Sequence, residues 1–324
     1  MIDFALSEEE QLVVELAADF GERHLRAHAR RHEVEGLDPA VHQAFAEVGL
    51  SALAADDPDM SEISWPARMQ VISALARADC GGFLPLWMKA RSPGLAAMVG
   101  AEEVGFVHLC DDATEDVGWL PLGGAKVVLF VEPDGRWIRA DIESTDARAL
   151  GLRAAGGGVR RGGVRTIGVR SSQDLTPNVL TPHASTPHAL IAEIRLIAAA
   201  ALVGIATASR DYAEKYVQER ITFGRPLSNH QGVAFLVADV AMAIAGAEVL
   251  VLKAAKDLES GVLGTATDAY LEAVEAALLA TSQGVQLLGG HGFMDEHPVE
   301  MWMRDARALS LLWGGVDAAR RDAR

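Results

Sequence analysis

Apolar positions in the first hundred residues recur with a helical period. Ser7 ahead of Glu8, Glu9 and Glu10 predicts an N-cap with an acidic first turn. Leu12, Leu16 and Phe20, at i, i+4 and i+8, predict one apolar stripe on that helix. A second helix is expected from Pro39 to Val48, stopped by Gly49. A third is expected between Trp65 and Ala78, with Met69, Ile72 and Leu75 inward. Gly81-Gly82 then predicts an interruption before another apolar helical stretch, Leu84 to Met88.

The middle third changes period. Val127-Val128-Leu129-Phe130-Val131, then Glu132-Pro133-Asp134-Gly135, then Arg136-Trp137-Ile138 predicts a hairpin with a turn between strands. Gly156-Gly157-Gly158 and Gly162-Gly163 punctuate further short strands, and Thr181-Pro182-His183 and Thr186-Pro187-His188 close the region. The helical period then returns. Leu236, Val240, Ala243, Ala247 and Leu250 fall on one face, and further helices are expected at about 266–288 and 297–312. Long amphipathic segments with short connections predict a four-helix bundle. The expected organisation is mostly α with a small β domain: a helical domain over 1–99, a reduced β domain over 100–188 and a helical bundle over 189–324.

Composition narrows the function classes. The 324 residues are 50% hydrophobic and carry a net charge of −16, which argues against a nucleic-acid footprint. Alanine supplies much of the apolar content and favours close helix packing. Cys80 and Cys110 form neither a disulfide framework nor a metal-ligand spacing. The start, Met1-Ile2-Asp3-Phe4, lacks a signal-peptide layout. Arg195 and Arg210 interrupt the apolar stretches, so no membrane span and a cytoplasmic location are expected.

Two segments concentrate chemistry. Gln218-Glu219-Arg220-Ile221-Thr222-Phe223-Gly224-Arg225-Pro226-Leu227, followed by His230-Gln231, joins two helical patterns and gathers a guanidinium, a ring, a glycine and an amide. Gln286-Leu287-Leu288-Gly289-Gly290-His291-Gly292 ends a later helix. Taken alone, the first reads as a charged helix end with a core phenylalanine and the second as a helix C-cap.

Together with Asp3-Phe4-Ala5-Leu6-Ser7-Glu8-Glu9-Glu10-Gln11, Glu47-Val48-Gly49-Leu50, Ala238-Asp239 and Pro298-Val299-Glu300-Met301-Trp302-Met303-Arg304-Asp305-Ala306, these segments resemble the acyl-CoA dehydrogenase family. The resemblance covers both helical regions and is poor in the β region. It implies FAD and α,β-desaturation of an acyl-CoA thioester, with a carboxylate base taking the α-proton and hydride passing from the β-carbon to the flavin. It also implies roles: Arg220 on the FAD diphosphate, Phe223 packed on the cofactor, Gly224 turning the chain and Gln231 hydrogen-bonding. Gln286, Gly289 and Gly290 would bring backbone against the adenosine half of a neighbouring subunit's FAD. Arg195 matches a helix arginine of the family and is a candidate substrate-binding residue.

The catalytic positions depart from the family pattern. The usual glutamate position holds Trp313, and the following Gly-Thr is Gly314-Gly315. The alternative base position, before Arg195, holds Ile194; Glu193 lies about a quarter turn away, where a solvated helix-start glutamate is the plainer reading. A pantetheine-contacting Asp would fall at Ala192, and Asp317 reads as a solvated helix-end carboxylate. The Thr-Glu-Pro and Gly-Ser-Asp signatures of the β region are absent; Val107-His108-Leu109-Cys110-Asp111 is the candidate for the corresponding strand, with His108 structural. His183 and His188 flank prolines in an expected loop, and Arg30-Arg31 and Arg320-Arg321 read as solvated faces.

The resemblance therefore implies one subunit of a hetero-oligomeric enzyme. It is similar to the shortened subunits of α2β2 dehydrogenases acting on steroid side-chain CoA thioesters, in which a homologous partner carries the base. Two other readings stand beside it: a self-sufficient homo-oligomer with Glu193 or Asp317 as base, and a non-catalytic scaffold or acyl-CoA-binding subunit. No metal and no nucleic acid are expected.

Overall fold

The computed structural model describes residues 4–98, 187–312 and 315–323, together with the strands between 106 and 180. Helix α1 (Glu8–Phe20) opens as its sequence dictates: Ser7 Oγ accepts from the Glu10 amide and Glu10 accepts in turn from the Ser7 amide, a capping box. The predicted stripe is corrected. Leu12 and Leu16 are 64% and 39% exposed, while Ala17 and Phe20 are buried and Val13 packs partly against the core. Eight residues of helix advance roughly 80° beyond whole turns, so Leu12 and Phe20 do not share a face; Val13, Ala17 and Phe20 do.

Short helices α2 (Ala29–Glu35), α3 (Pro39–Glu47) and α4 (Leu50–Ala55) come next. Asp38 caps α3, with Pro39 at its first turn, and Gly49 at φ 81° ends it where expected. The long α5 (Trp65–Met98) bends at Asp79 (φ −162°, ψ 100°), two residues before the predicted Gly81-Gly82 break. Asp79 causes the break because its carboxylate caps the second half of the helix: Oδ1 accepts from the Gly81 amide, and Oδ2 lies 3.3 Å from His32 Nδ1. Beside it, burial, with Asp305 and Asp79 nearby, pushes the Cys80 thiol well up, so this cysteine is an inert core residue.

The middle region contributes β1 (Phe106–Leu109), β2 (Trp119–Pro121), β3 (Val127–Val131), β4 (Trp137–Ile142), β5 (Thr166–Gly168) and β6 (Leu175–Leu180). One sheet has the order β1-β3-β4-β6, and β2 pairs with β5. The expected hairpin is present as antiparallel β3–β4, with Val131 opposite Trp137. His108 lies in β1, which runs parallel to β3. Cys110, Asp111, the glycine runs at 156–158 and 162–163, and His183 lie outside the described residues. His188 belongs to a helix rather than a loop.

Helix α6 (Pro187–Glu219) is the axis of the fold and packs on α5, α7 (Gln231–Glu259), α8 (Thr265–Leu288) and α9 (Val299–Leu309). Its run Ala198 to Ala201 is fully buried. These alanines let helix backbones approach, and at Gly204 the approach is closest: a Cβ there would lie 2.3 Å from the Ser73 carbonyl oxygen of α5. Helix α10 (Gly315–Asp322) closes the described chain. Two helices correct the expectation about spans: α6 and α7 are each long and apolar enough to cross a membrane, since Arg195 and Arg210 leave a sufficient apolar window in α6 and neither lies in α7. The α6 window is 83% buried inside the protein, that of α7 only 22%. Phe235, Met242 and Val249 accordingly form an exposed stripe on α7.

Candidate functional site

The segment after α6 is a tight hairpin. Strands β7 (Ile221–Thr222) and β8 (Arg225–Pro226) pair antiparallel, joined by Phe223 (φ 51°) and Gly224 (φ 78°). Positive φ at both central residues is the turn that suits strand twist, and its first position normally takes Asn, Asp or Gly. Phenylalanine there costs about 1 kcal/mol of backbone strain. It is also 97% exposed, so the core-phenylalanine reading fails. A strained, almost fully exposed aromatic buries very little of its ring against the described chain.

Around that tip, His230 buttresses the hairpin, a role not anticipated from the sequence. Its ring sits edge-on to Phe223 at 6.1 Å, with Nε2 3.4 Å from the Thr222 carbonyl and Nδ1 3.2 Å from Arg225 Nη2. Thr222 Oγ1 is buried without a hydrogen-bond partner among the described residues. Arg220 follows the last turn of α6, its amide donating to Tyr216 O at 2.9 Å. Its side chain is exposed, and no described carboxylate pairs with it. Gln231, also exposed, opens α7.

The second motif caps α8. Gly289, at φ 60° and ψ −134°, donates its amide to Gln286 O, and Gln286, Gly289 and Gly290 are all exposed. A Cβ at Gly224, Gly289 or Gly290 would meet no atom within 4 Å. No described atom demands a glycine at Gly290, and its bare backbone leaves room for a ligand to lie against it. The glycine that packing demands is Gly292, where a Cβ would lie 2.5 Å from Val285 O.

The two motifs are joined through side chains. Tyr216 Oη is 2.8 Å from His291 Nδ1, and Tyr212 Oη is 2.7 Å from His297 Nδ1. The two imidazoles stack at 5.7 Å with an interplanar angle of 17°. Burial, with Glu219 and Tyr216 near, pushes the Tyr212 phenol up, so it remains neutral. Arg30 donates to His297 O at 2.9 Å and pairs with Glu300, correcting its reading as a solvated face. Burial pushes the Glu300 carboxyl up, but hydrogen bonds from Arg304 and Arg30 outweigh it and hold the group low. An exposed guanidinium, an exposed aromatic and unobstructed glycine backbone on linked elements fit an elongated anionic ligand with a planar ring, and FAD is of that kind.

The helix-borne acid–base candidates lie elsewhere and are engaged. Glu193 is not solvated: Oε1 and Oε2 each accept from Arg91 at 3.0 Å, across from α5. Burial pushes its carboxyl up by more than the Arg91 guanidinium pulls it down, so the group stays raised. Arg91, Glu193, Asp56 and Arg68 line a cavity of about 10 Å³, roughly one water. Trp87 Nε1, on the same lining, has no acceptor among the described residues. Ala192 and Ile194 are buried. Arg195, the candidate substrate-binding residue, is engaged within the chain. It is buried, its Nη1 donates to Thr267 Oγ1 at 2.8 Å and its Nη2 to Asp322, tying α6 to α8 and α10. Asp317 is exposed in the first turn of α10. Trp313 and Gly314 lie outside the described residues, and Gly315 is buried at φ 62°. Among the described residues no cluster of three or more His, Cys, Asp or Glu could hold a metal.

Comparison with known proteins matches residues 188–323 to the domain described as acyl-CoA dehydrogenase, C-terminal domain. The short-chain specific acyl-CoA dehydrogenase of Clostridium acetobutylicum is 40% identical over 122 residues, 37% of this chain and 32% of that protein. The sequence match thus spans about a third of that relative. By structure the likeness is nearly complete. Butyryl-CoA dehydrogenase from Megasphaera elsdenii superposes with a TM-score of 0.77 over 99% of this chain and 98% of that one, at 19% identity. A steroid ACAD, Tcur3481–Tcur3483, superposes with a TM-score of 0.76 over 98% and 96%, also at 19% identity. At such identities these likenesses establish the fold, including the helical and β regions that the sequence led one to expect.

Proposed function

We propose, from the match of residues 188–323 to the acyl-CoA dehydrogenase C-terminal domain, that the chain is a member of that family and one subunit of a FAD-dependent acyl-CoA dehydrogenase. It supplies the cross-subunit half of a FAD site, while a homologous partner supplies the catalytic base. The observation that carries this reading is Phe223, strained at φ 51° and 97% exposed, three residues from an exposed Arg220 with which no described carboxylate pairs. Such an arrangement has a use only against another molecule.

Each residue then has a task. Arg220 neutralises the cofactor diphosphate with a planar set of donors. Phe223 packs on the cofactor, held forward by the hairpin and by His230. Gly224, Gly289 and Gly290 let it lie against backbone, and Gln231 and Gln286 hydrogen-bond its polar edges. FAD held there would supply the acceptor for the hydride of the acyl β-carbon. Removing the α-proton needs a carboxylate, and Trp313 cannot accept a proton. Glu193 is held by Arg91 at both oxygens and Asp317 faces solvent on α10, which favours a partner-borne base over a displaced one.

Association with a homologous subunit, in an α2β2 assembly, also gives the exposed stripe of α7 a cover of protein rather than lipid. A cytoplasmic location and a steroid side-chain CoA thioester as substrate belong to the same proposal. The steroid ACAD of like fold, named as a pair, supports the last point. The test is flavin content of the chain produced alone and co-produced with a homologous subunit that carries the glutamate. Flavin confined to the co-purified complex is the expected result. A full complement in the chain alone, reduced by an acyl-CoA, would overturn the division of labour.

A further inference from the structure

Tyr212 and Tyr216 lie one turn apart near the end of α6, and each hydroxyl reaches the Nδ1 of a histidine in the loop between α8 and α9. Tyr216 is one turn before Arg220, and its carbonyl accepts from the Arg220 amide. His291 directly follows Gly289 and Gly290. The Tyr216–His291 bond is therefore a side-chain strut between the arginine and the glycine turn. Stacking on His297, itself bonded to Tyr212 and held at its carbonyl by Arg30, fixes the far end of the same loop.

We propose that Tyr216 and His291 are positioning residues for the cofactor: they set the spacing between the Arg220 guanidinium and the Gly289–Gly290 backbone. This rests on the reading of that surface as half of a FAD site. A binding site for a long, two-ended ligand needs its ends held at a fixed distance, and ordering that loop in advance removes a cost from binding. The tyrosine hydroxyl can donate or accept, so the strut persists in either histidine tautomer. A phenol and an imidazole in mutual contact thereby serve the site without touching the ligand's diphosphate themselves.

The test uses the full chain in whichever preparation carries flavin, titrated with FAD after deflavination, and hydrogen exchange of the full chain without FAD. Tyr216→Phe and His291→Leu should each weaken FAD about tenfold, equivalent to 1.4 kcal/mol, and the double variant should be no worse than the weaker-binding single. His291→Asn, whose Oδ1 can stand where Nδ1 stood, should stay within about twofold of the unsubstituted protein. Exchange at Gly289–Phe293 should rise in Tyr216→Phe while the α8 interior keeps its protection. Effects that multiply in the double variant, or wild-type affinity and exchange in Tyr216→Phe, would overturn the proposal. An Arg220→Ala control separates the two ideas. If it leaves FAD affinity unchanged the cofactor reading fails, and the exchange measurement still decides the strut.

Discussion

Gly290 and Gly292 sit two residues apart in one turn and are expected to respond to alanine in opposite ways. At Gly292 the new Cβ would lie 2.5 Å from Val285 O, 3.0 Å from its Cα and 3.1 Å from its carbonyl carbon. These are backbone atoms in the last turns of α8 and cannot rotate aside. The turn must shift by roughly 1 Å to restore ordinary separations, an overpacking cost of about 2–3 kcal/mol. For a chain of this size that lowers the melting temperature by about 3–4 °C. At Gly290 a Cβ would meet nothing within 4 Å and the backbone φ is ordinary. Alanine there should be neutral or stabilise by up to about 1 kcal/mol, through loss of freedom in the unfolded chain. If FAD lies against that backbone, Gly290→Ala nonetheless loses about tenfold or more in flavin affinity, since a methyl then occupies the contact surface. Thermal melts of both variants, beside flavin titration, check the pair. Gly290→Ala with undiminished flavin binding would refute the cradle reasoning, and Gly292→Ala with an unchanged melt would refute the packing reasoning.

Two further outcomes are expected from the charged groups. Burial pushes the Glu10 carboxyl up, but hydrogen bonds from Ser64 and Ser7 outweigh it and bring the group from 4.5 down to about 2. A depressed carboxyl stabilises the fold above its ordinary value and loses that contribution as pH falls through the folded one. Glu10→Gln should therefore cost about 1 kcal/mol at neutral pH, a figure reduced for solvent screening, and the gap should close between pH 4.5 and about 2; denaturant melts across that range showing a pH-independent gap would count against it. Glu193→Gln should leave turnover of the assembled complex within about twofold, since loss of a general base costs about a hundredfold or more; steady-state kinetics of the co-purified variant decide it.

The features legible in the sequence are those that local chemistry decides. Ser7 with Glu10, Asp38 with Pro39, and Gly49 each set a helix end using residues within a few positions, and all three ends lie where expected. The β3–β4 pairing arises from alternation and an intervening turn. The Arg220 and Gly289 segments stood out through their resemblance to a family's motifs, and structurally they are a hairpin after α6 and a cap on α8. Long-range pairing escaped. Arg91 finds Glu193 across 102 positions, so a buried ion pair read as a solvated carboxylate, and the Arg195 bond to Asp322, across 127, was equally invisible. Asp79 broke α5 ahead of the glycines because its own side chain caps the next segment, a competition that residue spacing does not display. Phe223 was misjudged in its bland reading for a related reason. Hydrophobicity suggested the core, while the turn geometry that exposes it depends on both strands of the hairpin pairing.

The central claim is that this chain's Arg220 holds a cofactor completed by another subunit. The most direct measurement is the flavin content of the complex containing Arg220→Ala in this chain alone, with assembly verified by size-exclusion chromatography. The account predicts an intact complex that has lost flavin from the sites to which this chain contributes. An intact complex with its full flavin complement would contradict it.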